Sequence, residues 1–256
     1  MINLKTDEEI ELLRESARLV SKTLAYIGKE IKPGVSTKQL DTMAETFIRD
    51  HGAVPSFLNY YGYPASLCVS LNEIVVHGIP DDSIIIKDGD IVSVDCGVVL
   101  NGWQGDSAYT FGCGELSKEK QHLIDVTKKS LEIGIAHAYA GCRIGDIGYA
   151  IQQYVEGEGL SVVRDYVGHG IGRDMHEKPE IPNYGRRGNG TLLKEGMVIC
   201  IEPMVNVGTW RVMIGEDGWR ASTTDGSPSA HFEKQIAVRA NKADELTTYE
   251  YIEETR

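Results

Sequence analysis

Acidic residues inside strands of otherwise apolar sequence constrain this chain most, because such strands are buried and a buried carboxylate needs a partner. Asp95 lies in an apolar run, and Asp106 lies in the next strand-like segment. The Asn101-Gly102 pair between them predicts a two-residue hairpin turn, so Asp95 faces Ala108 and Asp106 lies two residues further along the same face. We therefore expect two carboxylates side by side in a buried sheet.

The second half of the chain repeats this feature. Glu202 ends another apolar run, Glu233 begins a further strand-like segment, and glycines flank His169 earlier in the same half. Four buried carboxylates repel one another, and two divalent cations would neutralise them with the imidazole of His169 as a fifth ligand. Oxygen-rich ligation with one imidazole suits Mn, Fe or Co better than a structural zinc cage. The pattern predicts a dinuclear metal site that activates a water molecule and polarises a carbonyl.

The order of predicted elements also repeats along the chain. Capping boxes at Thr6–Glu9 and Ser36–Gln39 begin two helices, and strand-like segments follow over 67–76, 91–99 and 105–112. The order starts again with helices at 117–139 and after Gly141, and then strand-like segments over 162–167, 197–207 and 231–239. This predicts an α+β fold with a single catalytic domain, 1–256, of two similar halves, about 1–115 and 116–256, and a site at their seam. We expect 177–192 to be an exposed loop and the tail after Lys242 to be a surface segment.

Composition excludes several classes of protein. A net charge of −12 argues against a nucleic-acid partner, which requires a basic surface. No apolar run reaches the length of a membrane span, and the polar N-terminal segment is unlike a signal peptide. Five scattered cysteines predict free thiols in a reducing cytoplasm. Taken singly, each acid could be a solvated helix or turn cap, His169 could be a loop residue, and Cys68 could be a small core residue. The prediction of a metal site therefore depends on the four acids and His169 occurring together.

The ordered set of candidate ligands resembles the ligand signature of the pita-bread (creatinase/aminopeptidase) metallopeptidases. Its members are Asp95, Asp106, His169, Glu202 and Glu233. Longer strings are similar to the type I methionine aminopeptidases, and they lie at 72–80, 168–172, 175–179 and 201–204. The resemblance covers nearly the whole chain. It implies a pita-bread fold, in which two pseudo-symmetric halves form a central antiparallel sheet covered by helices. It also implies an aminopeptidase that removes the N-terminal methionine from nascent proteins when the second residue is small.

The resemblance assigns roles to individual residues. Asp95 would bind one metal, His169 and Glu202 the other, and Asp106 and Glu233 both. Glu202 would also shuttle a proton from the attacking water. His77 and His176 would contact substrate, with His176 near the scissile amide. Five residues would line the methionine pocket, namely Tyr60, Tyr63, Cys68, His77 and Trp219. The chain departs from the commonest bacterial pattern at Phe57 and Met175, which leaves the shape of the pocket open.

The resemblance also implies cofactors and partners. Two divalent cations per chain are expected (Co, Mn, Fe or Zn, a choice the sequence does not decide), and a structural monovalent cation would lie near Asn72, Ile74 and Ser229. We expect a cytoplasmic monomer that acts on N-terminal methionine peptides of nascent proteins, with docking on the ribosome left open. One alternative is an Xaa-Pro aminopeptidase or prolidase of the same fold, which usually carries an extra N-terminal domain. The other is a catalytically inactive binding protein, which would have lost metal ligands that are all present here.

Overall fold

The computed structural model describes residues 2–254, which form five α-helices, a short 3₁₀ helix and fifteen strands. The helices are α1 (Asp7–Glu30), α2 (Thr37–Asp50), α3 (Lys118–Ala136), α4 (Ile144–Gly157) and α5 (Glu250–Glu253), with the 3₁₀ helix at Tyr60–Gly62. The strands are β1 (Val54–Pro55), β2 (Leu67–Leu71), β3 (Ile74–Val76), β4 (Ile91–Leu100), β5 (Trp103–Gly112), β6 (Ser161–Val162), β7 (Gly168–Gly170), β8 (Glu177–Ile181), β9 (Val198–Ile201), β10 (Met204–Asn206), β11 (Val212–Ile214), β12 (Ala221–Thr223), β13 (Ser229–His231), β14 (Glu233–Val238) and β15 (Ala243–Glu245).

Both predicted capping boxes begin helices. The Thr6 hydroxyl accepts from the backbone N–H of Glu9 at 3.3 Å, and the Glu9 carboxylate accepts from the N–H of Thr6 at 3.0 Å. Ser36 and Gln39 make the same pair of bonds at the start of α2. These reciprocal bonds satisfy N–H groups that a helix start would otherwise leave unpaired. The apolar stripe of α1 is buried against β4 and β5, which fixes the first helix over the central sheet.

The central sheet has nine antiparallel strands and joins both parts of the chain. Its order is β1-β4-β5-β14-β9-β7-β8, with β2 paired to β4 and β15 paired to β14. The β4–β5 hairpin has the register that its turn predicts, because Leu100 pairs with Trp103 and Asp95 pairs with Ala108. Asn101 and Gly102 adopt φ values of 53° and 76°, the left-handed conformations that a type I′ turn requires. The turn therefore sets the position of both acids on this hairpin.

Three of the predicted strands are interrupted, which corrects the sequence-based boundaries. The segment 67–76 divides at Asn72 into β2 and β3, 197–207 divides at Glu202-Pro203 into β9 and β10, and 231–239 divides at Phe232 into β13 and β14. In each case the two parts belong to different sheets. Proline cannot donate a ladder hydrogen bond, and the carbonyl of Pro203 instead accepts from the N–H of Phe232 at 3.3 Å. Two of the crossing points therefore lie together beside Glu202 and Glu233.

Other boundaries were also wrong. Of the predicted strand 162–167, only Val162 pairs in a strand, together with Ser161 just before it. The predicted loop 177–192 begins as a strand, since β8 pairs with β7 along the edge of the central sheet. The tail after Lys242 is not a surface segment, because β15 extends the central sheet and Leu246, Tyr249 and Ile252 are buried. Across residues 2–254, no helix combines the length and apolar character that crossing a membrane would need.

Candidate metal centre

Three of the predicted carboxylates come from adjacent strands of the central sheet. Ala108 on β5 pairs with Asp95 of β4 on one side and with Glu233 of β14 on the other. Asp106 lies two residues from Ala108 and so projects to the same face. Asp106 and Glu233 are buried, with 4% and 2% of their surfaces exposed. The sheet therefore brings together acids that are more than 120 positions apart in sequence.

His169 and Glu202 complete the group from the other side. The imidazole Nε2 of His169 is 3.6 Å from Oδ2 of Asp106 and 3.6 Å from Oε1 of Glu202. Its Nδ1 lies 2.9 Å from the carbonyl oxygen of Gly170, so the N–H donates there and leaves the Nε2 lone pair facing the acids. This is the arrangement by which metal-binding histidines are usually oriented. The geometry therefore presents His169 as a ligand.

All eleven residues predicted for the metal site and the methionine pocket line one cavity. Its volume is about 320 Å³, within the range of small-molecule sites. The acids and His169 share the lining of this cavity with several aromatic side chains. The residues concerned are Asp95, Asp106, His169, Glu202, Glu233, His77, His176, Tyr60, Tyr63, Cys68 and Trp219.

The electrostatics of the acids favour a bound cation. Burial raises the pKa of Asp106 to about 8, and burial together with the charge of Asp106 raises the pKa of Asp95 well above its ordinary value. Burial and the neighbouring acids also raise the pKa values of Glu202 and Glu233. Each carboxylate is therefore costly to ionise unless positive charge lies beside it.

Carboxylate oxygens without hydrogen-bond donors indicate that divalent metal ions fit between these acids. Oδ1 of Asp95, Oδ1 of Asp106 and Oε1 of Glu233 are buried and have no hydrogen-bond donor. Buried oxygens without donors are rare in folded proteins, and a cation would satisfy them. Asp106, His169, Cys200 and Glu233 also place one ligand-type atom each within 4.8 Å of one another. Four carboxylates and one imidazole suit a pair of divalent cations.

Two further histidines face the same cavity. Nδ1 of His176 lies 2.8 Å from the Tyr60 hydroxyl, and its ring centroid is 4.3 Å from that of His169. His77 has a φ of 60°, a conformation that costs energy for a residue other than glycine and is often found at functional sites. Burial, and the proximity of other histidines, lower the pKa values of His77 and His176 to about 4, so both are neutral at pH 7.

Three residues near the acids were missed by sequence reasoning. His231 and Cys200 are buried, and each lies two residues before a predicted ligand, so the period-2 pattern of a strand could have indicated them. The hydroxyl of Tyr249, from the tail, accepts from the backbone N–H of Glu233 at 3.1 Å and lies 2.8 Å from the carbonyl of Ala108. No local pattern links Tyr249 to a site so far away in sequence.

The remaining predicted residues lie around the cavity. Phe57 lines it, whereas Met175 is buried behind Gly97, where its Cε and the Phe57 ring leave no room for a Cβ. The backbone N–H of Ser229 donates to the carbonyl of Asn72 at 2.8 Å. The structure therefore brings these two members of the predicted monovalent-cation set together.

Comparison with known proteins identifies the class. The model of metallopeptidase family M24 matches residues 11–240, and the chain belongs to this family. It is 52% identical over 250 residues to the methionine aminopeptidase of Clostridium acetobutylicum, which covers 98% of this chain and 100% of that protein. The crystal structure of the methionine aminopeptidase from Rickettsia prowazekii superposes with a TM-score of 0.95 at 43% identity, over 97% of this chain and 100% of that one.

The same comparison establishes the fold. A prolidase from Pyrococcus furiosus superposes with a TM-score of 0.77 at 23% identity, over 96% of this chain but 65% of its own, a likeness that concerns the fold alone. The predicted pita-bread fold, with its central antiparallel sheet and covering helices, is confirmed.

Proposed function

We propose that this chain is a metal-dependent aminopeptidase that removes the N-terminal methionine from nascent proteins when the second residue is small. The observation that carries the proposal is one cavity in which five oxygen and nitrogen ligands adjoin an aromatic pocket. A relative named methionine aminopeptidase that is 52% identical over 98% of the chain supports this substrate over an Xaa-Pro peptide. The intact ligand set argues against an inactive binding protein.

The family resemblance implies that the five ligands divide between two divalent cations. Asp95 would hold one ion, His169 and Glu202 the other, and Asp106 and Glu233 both. When bound, such ions would polarise the scissile carbonyl and lower the pKa of the attacking water. The chain supplies the acids in fixed positions, because each is carried on or next to a strand of the central sheet.

Glu202 and His176 would manage the proton and the developing charge. Glu202 lines the cavity, and with cations beside it its carboxylate could accept a proton from water at one oxygen and pass it to the leaving amine. The Tyr60 hydroxyl can donate to Nδ1 of His176, which makes Nε2–H the free donor of this neutral imidazole. That donor would stabilise negative charge on the tetrahedral intermediate.

The aromatic walls suit a methionine side chain. Methionine is unbranched and polarizable, and rings with a thiol can contact it without a charged partner. Tyr63 and Trp219 meet edge to face with centroids 5.2 Å apart, and Cys68 is buried beside them. The His77 and Tyr166 ring centroids lie 5.2 Å apart, and the adjacent Gly78 has no room for a Cβ, so this side of the cavity is closely packed. A long second residue would push the scissile carbonyl out of position.

The wider setting is part of the same proposal. We infer a single catalytic domain, 1–256, of two related halves, 1–115 and 116–256; positions 1, 255 and 256 lie outside the described residues. Strands β5 and β14, one from each half, pair beside the acids. A monovalent cation would be held by carbonyl groups near Asn72, Ile74 and Ser229. The five free cysteines suit a reducing cytoplasm, where the protein would act as a monomer on chains leaving the ribosome.

Methionine release tests the proposal. Protein stripped of metal would be assayed with Met-Gly-Ser, Met-Arg-Ser, Leu-Gly-Ser and an Xaa-Pro peptide, before and after Mn²⁺ or Co²⁺ is added back. We expect activity only with metal, and only on Met-Gly-Ser. Equal rates on Met-Gly-Ser and Met-Arg-Ser would contradict the specificity, and hydrolysis of the Xaa-Pro peptide alone would favour the alternative enzyme.

A further inference from the structure

His231 has a buried ring nitrogen that makes no hydrogen bond. The side chain lines the cavity, and the residue has 2% of its surface exposed. Its Nε2 is buried and without a hydrogen-bond partner. Leaving such a polar group unpaired is costly, so its position calls for an explanation.

The backbone of His231 is held rigidly. The hydroxyl of Thr110 on β5 accepts from the N–H of His231 at 2.9 Å and donates to its carbonyl at 2.7 Å. Ser93 on β4 fixes that hydroxyl in turn, with 2.8 Å between the two side-chain oxygens. His231 also pairs with Met204 at the end of β13. The imidazole is therefore projected into the cavity from a fixed point.

The group that this nitrogen faces is the carboxylate of Glu202. His231 Nε2 lies 3.9 Å from Oε2 of Glu202, while Oε1 of the same carboxylate lies 3.6 Å from Nε2 of His169. The two oxygens of Glu202 therefore face two different imidazoles. A separation of 3.9 Å is about 1 Å longer than a hydrogen bond, a gap that a small side-chain rotation closes.

We propose that His231 is a positioning residue for Glu202: its Nε2–H donates to Oε2, and this bond turns Oε1 toward His169. The terminal torsion of a glutamate is otherwise broad and poorly defined. Ligating carboxylates are typically held by such outer hydrogen bonds, and loss of one costs 10- to 100-fold in metal affinity or activity. The proposal rests on the proposed function, in which Glu202 is a metal ligand.

Metal affinity gives a readout that does not depend on turnover. Stripped wild type, His231→Gln and His231→Leu would be titrated with Mn²⁺ by calorimetry, with His122→Leu as a control on the exposed face of α3. Leucine fills similar space but cannot donate, so we expect Mn²⁺ binding to weaken about 10- to 100-fold. The glutamine amide can donate, so His231→Gln should recover most of the affinity. If His231→Leu does not fold, His231→Met serves as the apolar variant with the same expectation.

Kinetics supply a second readout. The apolar variant should lose kcat on Met-Ala-Ser with little change in KM, and glutamine should restore kcat. The inference is overturned if the apolar variant binds Mn²⁺ as wild type does, if glutamine fails to rescue it, or if KM alone changes. Failure of wild type to bind Mn²⁺ would instead contradict the proposed function.

Discussion

Removal of one hydroxyl group, in Tyr249→Phe, should destabilise the central sheet beside the acids. The Tyr249 hydroxyl accepts from the backbone N–H of Glu233 at 3.1 Å and lies 2.8 Å from the carbonyl oxygens of both Ala108 and Glu233. The carbonyl of Glu233 also accepts from Ser107 at 2.5 Å, so the hydroxyl of Tyr249 is free to donate to Ala108. The tail thus links the two strands that carry Asp106 and Glu233.

The size of the effect follows from burial. Phenylalanine keeps the ring, so the change removes hydrogen bonds from groups that water cannot reach. Tyr249, Ala108 and Glu233 each have less than 5% of their surface exposed. Loss of a buried hydrogen-bond partner costs about 1–3 kcal/mol, and we expect the free energy of unfolding to fall by that amount. For a chain of this size the melting temperature should drop by about 2–4 °C per kcal/mol.

Urea unfolding of stripped and metal-loaded protein measures this change, with Tyr26→Phe as the matched control. The Tyr26 ring stacks on Phe47 at 4.9 Å in a partly exposed position. Its variant should stay within about 0.5 kcal/mol of wild type, as surface changes usually do. If Tyr249→Phe also stays within that range, the hydroxyl does not link the two strands.

Three other perturbations have defined outcomes. His176→Ala should lower kcat by about 10²–10³-fold with little change in KM and in metal content. If the variant instead loses metal, His176 is a metal ligand and the assignment is wrong. In stripped protein, burial raises the pKa of Asp106 from 3.8 to about 8, so its stabilising contribution is lost as pH rises through that range. Between about pH 7.5 and 9, above the ordinary histidine pKa of about 6.5, the free energy of unfolding should therefore fall, and added Mn²⁺ should reduce the fall; a flat profile would refute this. Gly105→Ala should cost about 1–3 kcal/mol in urea unfolding, because its Cβ would lie 2.6 Å from the backbone of α1. Gly157→Ala, with nothing within 4 Å, should not destabilise the protein.

Local signals predicted the hairpin that carries two of the acids. The Asn101-Gly102 turn sets the register of β4 and β5, and the period-2 rule then places Asp95 and Asp106 on one face. These predictions succeed because they depend only on residues close together in sequence.

The remaining features depend on pairing between distant segments. The pairing of Glu233 with Ala108 joins strands 125 positions apart, and no turn fixes that register. At Phe232 the chain leaves one sheet and enters another. A continuous apolar run in the sequence does not reveal where such a crossing occurs. The role of Tyr249 was missed for the same reason, because its partners lie on strands formed much earlier in the chain.

Methionine release by Glu233→Gln tests most directly the claim that the acidic cluster is the catalytic metal centre. Glutamine keeps the shape of the side chain but removes the charge of a carboxylate that would bind both cations. With Met-Ala-Ser and equal Mn²⁺, we expect kcat/KM to fall by more than the roughly 100-fold upper limit for outer hydrogen-bond partners. A rate close to that of wild type, from a folded variant, would contradict the assignment of this cluster as the metal centre.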